Sequence, residues 1–395
     1  MISPFDQLSK EMGQELQNLL NYWSSNAIDT ENDGFIGKRD FYNRPLPKAN
    51  KGIILNSRIL WTFAAASNDL KTLKYSQICE SSFDYLYNFF KDEKYGGVYW
   101  ELTYEGSAIN KRKQIYAQAF TIYALSQYYA FSKNSEALDW AIEIFELIEK
   151  YAHDNVNKGY IEAFNENWSP IQDMRLSDKD ENEAKTMNTH LHILEAYTAL
   201  YKVHKDPIVK EKLSNLIHLF LNKFLTKKGH LKLFFNAKWQ SKSQLISFGH
   251  DIEAAWLLLE AAKAIDIPDL LQKTKDAALL IADNFIKEGI DTDGGVLYEF
   301  EPKSNDLDTD KHWWPQAEAI VGLYYAFKIN PKEAYVETAY NIWNFTKNKL
   351  IDKKNGEWFW RVNRNGNPNK KDCKMGMWKA PYHNSRACMI LSNQN

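Results

Sequence analysis

The sequence predicts an all-α fold, an (α/α)6 barrel of six helical hairpins, from a repeat of glycine turns and from two alternating classes of helix. A glycine turn recurs along the chain about every 64 residues, so six units occupy nearly all of the 395 residues. The turns lie at Gly34, Gly97, Gly159, Gly229, Gly295 and Gly356. We therefore expect a single domain over residues 1–395.

One class of helix is amphipathic, with apolar residues at helical spacing on one face and charges on the other. Its members are residues 70–90, 135–151, 208–225, 270–286 and 333–350. The other class carries few charges along its length and is rich in Ala, Leu and aromatic residues. Its members are residues 57–66, 116–131, 189–203, 251–265, 315–327 and 382–391. Two such classes in alternation predict an inner ring of buried helices shielded by an outer ring.

A short aromatic segment follows each glycine turn, for example residues 356–362, and predicts short β-like hairpin segments at one end of the barrel. Pro315 fits the first turn of a helix, where its missing N–H costs nothing. An open helical solenoid is the alternative. The closed barrel is favoured because all six inner helices share a polar start.

The composition argues against several classes of partner. Lys and Arg number 49 against 51 Asp and Glu, a net charge of −2, which disfavours nucleic acid and anionic membranes. The 13 Trp, 22 Tyr and 21 Phe suit a large core and also the apolar faces of sugar rings. No apolar run approaches the length of a membrane span.

The cysteines and the N-terminus predict a cytoplasmic protein. Cys79, Cys373 and Cys388 are odd in number and form no C-x-x-C motif, which disfavours a disulfide framework or a zinc ribbon. The first 20 residues lack the basic and apolar regions of a signal peptide. We expect a monomer or a weak homo-oligomer.

Polar residues interrupt the apolar inner helices at their first turns. In a closed barrel these turns meet at one mouth, together with helix N-termini that favour developing negative charge. The residues are Arg58, Tyr116, Gln118, Asn188, His190, His192, His250, Glu253, His312, Trp313, Trp314, Glu318, His383 and Arg386.

The spacing of these residues argues against a metal site and for an organic acid–base site. His250 and Glu253 share a helix face, as do Asn188 and His192, and His383 and Arg386. His190 and His192 point apart, and the H-x-x-x-H spacing of a zinc helix and the glycine-rich phosphate loops do not occur. The sequence therefore predicts a site without metal or cofactor.

Other histidines and one charged loop have simpler interpretations. A single helix-start histidine is often a cap or a satisfied core group. For His190 and His312 a structural and a functional role remain equally open, because their neighbours on the relevant helix face are less clear. We expect His153, His204, His218 and His230 to be structural or solvated. The run at residues 178–183 (DKDENE) predicts a solvated loop that could also fold over the mouth.

Four strings along the chain resemble the cellobiose 2-epimerase branch of the N-acylglucosamine 2-epimerase superfamily. They are GHDIEAAWLL (249–258), MNTHLHILEAY (187–197), HWWPQAEA (312–319) and APYHNSR (380–386). N-acylglucosamine 2-epimerases usually carry a different residue between the first His and the Ile-Glu pair, and the aldose–ketose isomerases also differ there. The resemblance covers essentially the whole chain and implies the six-hairpin barrel.

The resemblance implies roles for individual residues. His250 and His383 resemble the acid/base pair and His192 the third catalytic histidine. Sugar-binding roles are implied for Arg58, Tyr116, Asn188, Glu253, Trp313, Trp314 and Trp378, with either Trp313 or Trp314 facing the ligand. We add Glu318 to the candidate substrate-binding residues from its position at an inner-helix start.

The implied reaction is epimerisation at carbon 2 of the reducing-end glucose of a β-1,4-linked disaccharide. Ring opening exposes an aldehyde, which acidifies the proton on carbon 2, and imidazoles suit its removal and return near neutral pH. Arg58, Tyr116 and Asn188 are candidate donors to an enediol intermediate. A monosaccharide 2-epimerase or an aldose–ketose isomerase is the closest alternative. Glycoside hydrolysis is disfavoured because it needs two opposed carboxylates, and a non-catalytic sugar-binding barrel because it does not need three recurrent histidines.

Overall fold

The fold is the predicted (α/α)6 barrel, as seen in a computed structural model that describes residues 4–393. The outer ring consists of α1 (Asp6–Asn26), α3 (Ser76–Tyr85), α5 (Ser135–Tyr151), α7 (Pro207–Leu219), α9 (Pro268–Glu288) and α11 (Glu333–Phe345). The inner ring consists of α2 (Ile53–Asp69), α4 (Ile115–Ser132), α6 (Met187–Val203), α8 (Phe248–Ile265), α10 (Trp313–Ile329) and α12 (Tyr382–Ser392).

The inner ring is closed. Each inner helix packs against the next, and the last, α12, packs against α10, α2 and the outer helix α1. An open solenoid has no contact between its first and last helices, so these contacts distinguish the two alternatives.

Burial follows the two helix classes. Helix α5 buries one stripe, which includes Trp140, Ile144 and Ile148, and leaves its charged face in water. Helix α10 is buried on nearly all sides over residues 315–324, since the outer helices cover one side and neighbouring inner helices the others. Among the described residues, no helix is both long and apolar enough to cross a membrane.

Short antiparallel strands lie at the N-terminal end of the inner helices. Five inner helices are each preceded by a short strand that pairs with the segment after the next glycine turn. The sequence predicted short β segments after these turns but not the strands with which they pair. The pairs are β1 (Lys51–Gly52) with β2 (Glu101–Leu102), β4 (Lys113–Gln114) with β5 (Ala163–Phe164), β6 (Lys185–Thr186) with β7 (Phe234–Phe235), β8 (Ile246–Ser247) with β9 (Glu299–Glu301), and β11 (Lys311–His312) with β12 (Arg361–Val362). Two further strands, β3 (Ala108–Asn110) and β10 (Asp306–Asp308), extend the first and fourth of these pairs.

Several helix ends differ from the prediction. Helix α3 begins at Ser76, because residues 70–75 form the turn that follows α2. Helices α3, α7 and α11 each end in a five-residue π-helical turn. Helix α2 begins at Ile53, since the strand before it ends at Gly52, so Arg58 lies in the second helical turn and not the first. His192, Glu253, Glu318 and Arg386 are likewise about one turn inside their helices.

Candidate functional site

A cavity of about 410 Å³ opens at the end of the barrel where the inner helices begin. Its volume falls within the usual range of small-molecule sites, about 300–1,000 Å³. All the catalytic and substrate-binding residues predicted from the sequence except Glu318 line it: Arg58, Tyr116, Asn188, His192, His250, Glu253, Trp313, Trp314, Trp378 and His383. Of the other polar residues expected at the mouth, His312 lines the cavity, whereas Gln118, His190 and Arg386 do not.

Glu318 lies behind His383 instead of on the cavity wall. Its Oε1 atom is 2.7 Å from Nδ1 of His383, and its Oε2 atom accepts a hydrogen bond from Nε1 of Trp256 at 3.0 Å. The sequence predicted that Glu318 contacts substrate, but its side chain turns toward α8 and α12 and away from the cavity wall. It is placed to orient the imidazole of His383.

His192 has the same kind of support from a residue of its own helix. Nδ1 of His192 lies 2.9 Å from Oε2 of Glu195, one helical turn along α6. The imidazole also packs between the rings of Tyr116 and Phe120, with centroids 4.9 and 4.7 Å away. A carboxylate on Nδ1 leaves Nε2 as the nitrogen available to a ligand.

His250 approaches the cavity from α8. Its Nδ1 atom lies 2.8 Å from the Ser247 hydroxyl, so its Nε2 is also left for a ligand. The indole of Trp314 lies against the rings of both His250 and His383, with centroid distances of 4.7 and 5.6 Å. The two histidines thus come from helices far apart in the sequence and share one aromatic neighbour.

Arg386 holds the carboxylates beneath the cavity together. Its Nη2 donates to Oε1 of Glu253 at 2.9 Å and to Oε1 of Glu318 at 2.7 Å, and its Nη1 donates to Glu195. All four side chains are at most 3% exposed. One guanidinium cannot neutralise three buried carboxylates, which favours retention of a proton in this cluster.

The three carboxyl groups of the cluster differ in the direction of their pKa shifts. Burial opposes ionisation of Glu195, but Arg386 and His192 outweigh it and lower the pKa of Glu195 to about 2. Burial raises the pKa of Glu318 above its usual value and, together with the charge of Glu318, raises that of Glu253 further. Glu253 and Glu318 are therefore the two carboxyls of the cluster that ionise less readily than usual.

Burial also keeps the cavity histidines neutral. Burial and the neighbouring His192 lower the pKa of His250 to about 3. Burial, Arg58 and Arg386 lower the pKa of His383 well below its usual value. Neutral imidazoles can accept protons at physiological pH.

Arg58 and Tyr116 form a donor pair on another wall of the cavity. Nη2 of Arg58 donates to the Tyr116 hydroxyl at 2.9 Å, and its guanidinium lies 4.3 Å from the ring centre of Phe120. Two polar atoms in this region, Nε of Arg58 and Oδ1 of Asn188, are buried without a hydrogen-bond partner. The Asn188 atom can bind a ligand hydroxyl, because Asn188 lines the cavity.

The three predicted tryptophans all line the cavity but differ in surroundings. Trp314 is half-buried beside His250 and His383. Trp313 is 3% exposed and packs its ring on Trp360, with centroids 5.1 Å apart. Trp378 is half-buried, with its ring 5.9 Å from that of Tyr116. Trp314 and Trp378 therefore offer more indole surface to a ligand than Trp313.

The carboxylates of Glu253 and Glu318 and the imidazole of His383 bring ligand-type atoms within 4.8 Å of one another, a spacing that could hold a metal. Nη2 of Arg386 lies within 2.9 Å of both carboxylates and supplies the positive charge that a metal would supply. These residues therefore fit the guanidinium of Arg386 better than a metal ion, and the expectation of a metal-free site remains a prediction.

Sequence reasoning missed several residues of the site. Glu195 was not predicted, although its i,i+3 spacing from His192 could have suggested it. Glu162 and Tyr298 line the cavity from outside the inner helices, where no helical periodicity points to them. Residues 174–177 and 179–181 also line it, so part of the predicted solvated loop reaches the mouth.

The structure shows the contacts of three further histidines, His190, His312 and His230. His190 is fully satisfied, with Nδ1 2.6 Å from the Thr186 carbonyl and Nε2 accepting the Tyr160 N–H at 2.9 Å. His312 lines the cavity and stacks on Tyr298 at a centroid distance of 3.8 Å. His230 is buried in an ion pair with Asp251.

Comparisons with known proteins agree with this geometry. The family model of N-acylglucosamine 2-epimerase matches residues 34–387. A cellobiose 2-epimerase of Bacteroides fragilis is 44% identical over 97% of this chain and 98% of its own length. A cellobiose 2-epimerase of Dictyoglomus turgidum is 37% identical over 97% of each chain.

A solved structure shows the same fold. The cellobiose 2-epimerase from Bacillus thermoamylovorans superposes with a TM-score of 0.95 at 38% identity, over 99% of this chain and 100% of that one. With the family model, the curated relatives and the structure in agreement, the chain belongs to the N-acylglucosamine 2-epimerase family, in its cellobiose 2-epimerase branch.

Proposed function

We propose that the chain epimerises carbon 2 of the reducing-end glucose of β-1,4-linked disaccharides, converting cellobiose to glucosyl-mannose and lactose to epilactose. The observation that carries the proposal is the pair His250 and His383, which line one cavity from two helices and flank Trp314. Inversion of a carbon needs proton transfer on both of its faces, and two imidazoles of separate origin suit that task.

The reaction begins with ring opening of the sugar. His192, held at Nδ1 by Glu195, presents Nε2 for proton exchange with the anomeric and ring oxygens. Arg58 and Tyr116 donate hydrogen bonds to the oxygens on carbons 1 and 2, and the free Oδ1 of Asn188 accepts one from a sugar hydroxyl. The aldehyde that results acidifies the proton on carbon 2.

Proton transfer at carbon 2 then uses the two flanking histidines. Neutral His250 takes the proton from one face, and the electron pair moves toward the carbonyl oxygen to give an enediolate that Arg58 stabilises. His383 returns a proton from Nε2 to the other face. Its Nδ1 receives, through Glu318, a proton held by the Glu253–Glu318 pair, so one proton has passed from this pair to His250. The reverse reaction uses the same groups in opposite order.

We further propose that residues 1–395 act as one catalytic domain in the cytoplasm, without metal, cofactor or nucleic-acid partner. The free thiols of Cys79, Cys373 and Cys388 are consistent with a reducing compartment.

The test is sugar chromatography after incubation with cellobiose, lactose, glucose, mannose and N-acetylglucosamine. The proposal expects the 2-epimers of the two disaccharides as main products. Faster turnover of free glucose or mannose would instead assign a monosaccharide 2-epimerase. A ketose as the main product would assign an aldose–ketose isomerase, since proton return to carbon 1 of the same enediolate gives a ketose.

A further inference from the structure

A repeated hydrogen bond joins the inner helices to the glycine turns. In α4, Oε1 of Gln118 accepts the N–H of Val98 at 2.9 Å, and in α10, Oε1 of Gln316 accepts the N–H of Val296 at 2.8 Å. Each acceptor is the fourth residue of its helix, and each N–H belongs to the residue after a glycine. His190 of α6 makes the same bond to Tyr160.

Helix α8 makes this bond with a carboxylate. Its fourth residue is Asp251, whose Oδ1 accepts the N–H of Leu231 at 2.8 Å. Leu231 forms the same β-bridge as Val98, Tyr160 and Val296, but His230 separates it from Gly229. Asp251 is 2% exposed, whereas the corresponding groups of α4, α6 and α10 are amides or an imidazole. An amide suffices for the hydrogen bond, so the buried charge of Asp251 requires another explanation.

The partner of that charge is His230, the residue after Gly229. Nδ1 of His230 lies 2.8 Å from Oδ2 of Asp251, and the histidine is 6% exposed. On the opposite side, Nε2 of His230 lies 3.1 Å from Glu288 and 3.1 Å from Asn284, both on α9. The imidazole therefore connects the first turn of α8 to the glycine turn and to the outer helix.

The same hairpin lacks an ion pair that recurs elsewhere. In the other five hairpins a buried lysine before the inner helix pairs with an aspartate at the start of the glycine turn, at 2.5–2.9 Å. The pairs are Lys51–Asp29, Lys113–Asp92, Lys185–Asp154, Lys311–Asp291 and Lys374–Asp352. In the fourth hairpin, Ile246 and Thr226 stand at these positions.

We propose that His230 is a positioning residue for the reaction: through Asp251 it fixes the first turn of α8 and so places His250. Asp251 is the residue next to His250, and Glu253 follows two residues later. In this hairpin the ionic link is therefore made by Asp251 in α8, the helix that carries His250, and not by a lysine in the preceding strand. This proposal rests on the proposed function only for the role of His250 in proton transfer.

The test compares His230→Ala, Asp251→Asn and the double variant. His230→Ala leaves a buried carboxylate unpaired, so we expect kcat to fall about 10- to 100-fold, the scale of a misplacement of about 1 Å, with little change in KM. The double variant replaces the carboxylate by the amide used in α4 and α10, and we expect it to recover most of the lost kcat. Glu288→Gln is the matched control with near-normal kcat, because Glu288 is 49% exposed and the pair with Asp251 remains.

Amide hydrogen exchange over residues 247–254 supplies a readout that does not need activity. We expect faster exchange in His230→Ala and recovery in the double variant. Normal kcat and normal exchange in His230→Ala, or a double variant no better than His230→Ala, overturn the proposal. If His230→Ala does not fold, the kcat values of Asp251→Asn and of the double variant are compared. Both lack the carboxylate through which His230 acts, so a large difference between their kcat values contradicts the proposal. A wild-type protein inactive on every sugar refutes the proposed function, while the exchange result still decides this inference.

Discussion

Nδ1 of His383 lies 2.7 Å from Oε1 of Glu318, and Glu318 is fully buried behind it. The same carboxylate oxygen accepts a hydrogen bond from Arg386, which also binds Glu253 and Glu195. The carboxylate cluster therefore orients the imidazole, and burial raises the pKa of the carboxyl beside it. This relationship distinguishes His383 from His250, whose Nδ1 faces a serine hydroxyl.

Replacement of His250 or His383 tests their proposed roles in proton transfer. We expect His250→Asn and His383→Asn each to lower kcat about 10²- to 10⁴-fold with a small change in KM, because the lost interaction belongs to the transition state. His218→Asn, on the exposed side of α7, is the control. Turnover in D₂O should place deuterium on carbon 2 of the product. Near-normal kcat in both variants would show that the site is assigned incorrectly.

Glu318→Gln separates proton supply from orientation. The amide keeps an oxygen near Nδ1 of His383 but cannot supply the carboxyl proton, so we expect kcat to fall by roughly 10²-fold. The melting temperature should also fall, because the amide has one acceptor oxygen where Glu318 accepts from both Arg386 and Trp256, and one buried donor is left without a partner. A pH–rate profile and thermal melts measure both effects. Wild-type kcat in this variant would exclude Glu318 as a proton store.

Trp378→Ala tests a sugar-stacking surface. Loss of the indole should lower kcat/KM for cellobiose by a factor that corresponds to a loss of about 1–3 kcal/mol of binding free energy, the scale of a lost aromatic contact. The reason is that Trp378 lines the cavity and is half-buried. Steady-state kinetics with cellobiose measure the effect. An unchanged kcat/KM removes Trp378 from the substrate site.

Chelation tests the role of metal. We expect activity to survive exhaustive treatment with EDTA, because Arg386 already binds the carboxylates of the one cluster of ligand-type residues found among residues 4–393. Activity is measured before and after dialysis against chelator. Loss of activity that a particular divalent ion restores would contradict the expectation.

The buried Lys–Asp pairs predict acid lability. Burial opposes ionisation of Asp154, but backbone N–H donors and Lys185 outweigh it and lower its pKa to about 2. The unfolded value is about 3.9, so the stabilisation is complete above that pH and is lost as the pH falls through about 2. Urea unfolding at pH 5.5 and pH 3 measures the loss. Asp154→Asn should show a smaller difference between the two pH values, and an equal difference would exclude this pair as a contributor.

The barrel could be predicted from the sequence because its periodicity is local. The regular spacing of the glycine turns and the contrast between amphipathic and apolar helices can both be read from short stretches of sequence, because apolar residues mark the faces that are buried. For the same reason the histidines on inner helices could be assigned to one mouth. Helix ends were less predictable: Ile53 extends α2 to the end of a strand, and the pairing of that strand with Glu101 and Leu102 is a long-range contact.

Tertiary structure alone decided how the site is supported. Glu318 and Glu253 are both near helix starts in the sequence, but only packing places Glu253 on the cavity wall and Glu318 behind His383. Their pKa values depend on burial and on Arg386, which lies 68 residues from Glu318 along the chain. Sequence spacing thus determined which helix faces carry the chemistry. The closure of the ring determined which charges meet, because electrostatic coupling depends on distance in space and on exclusion of water.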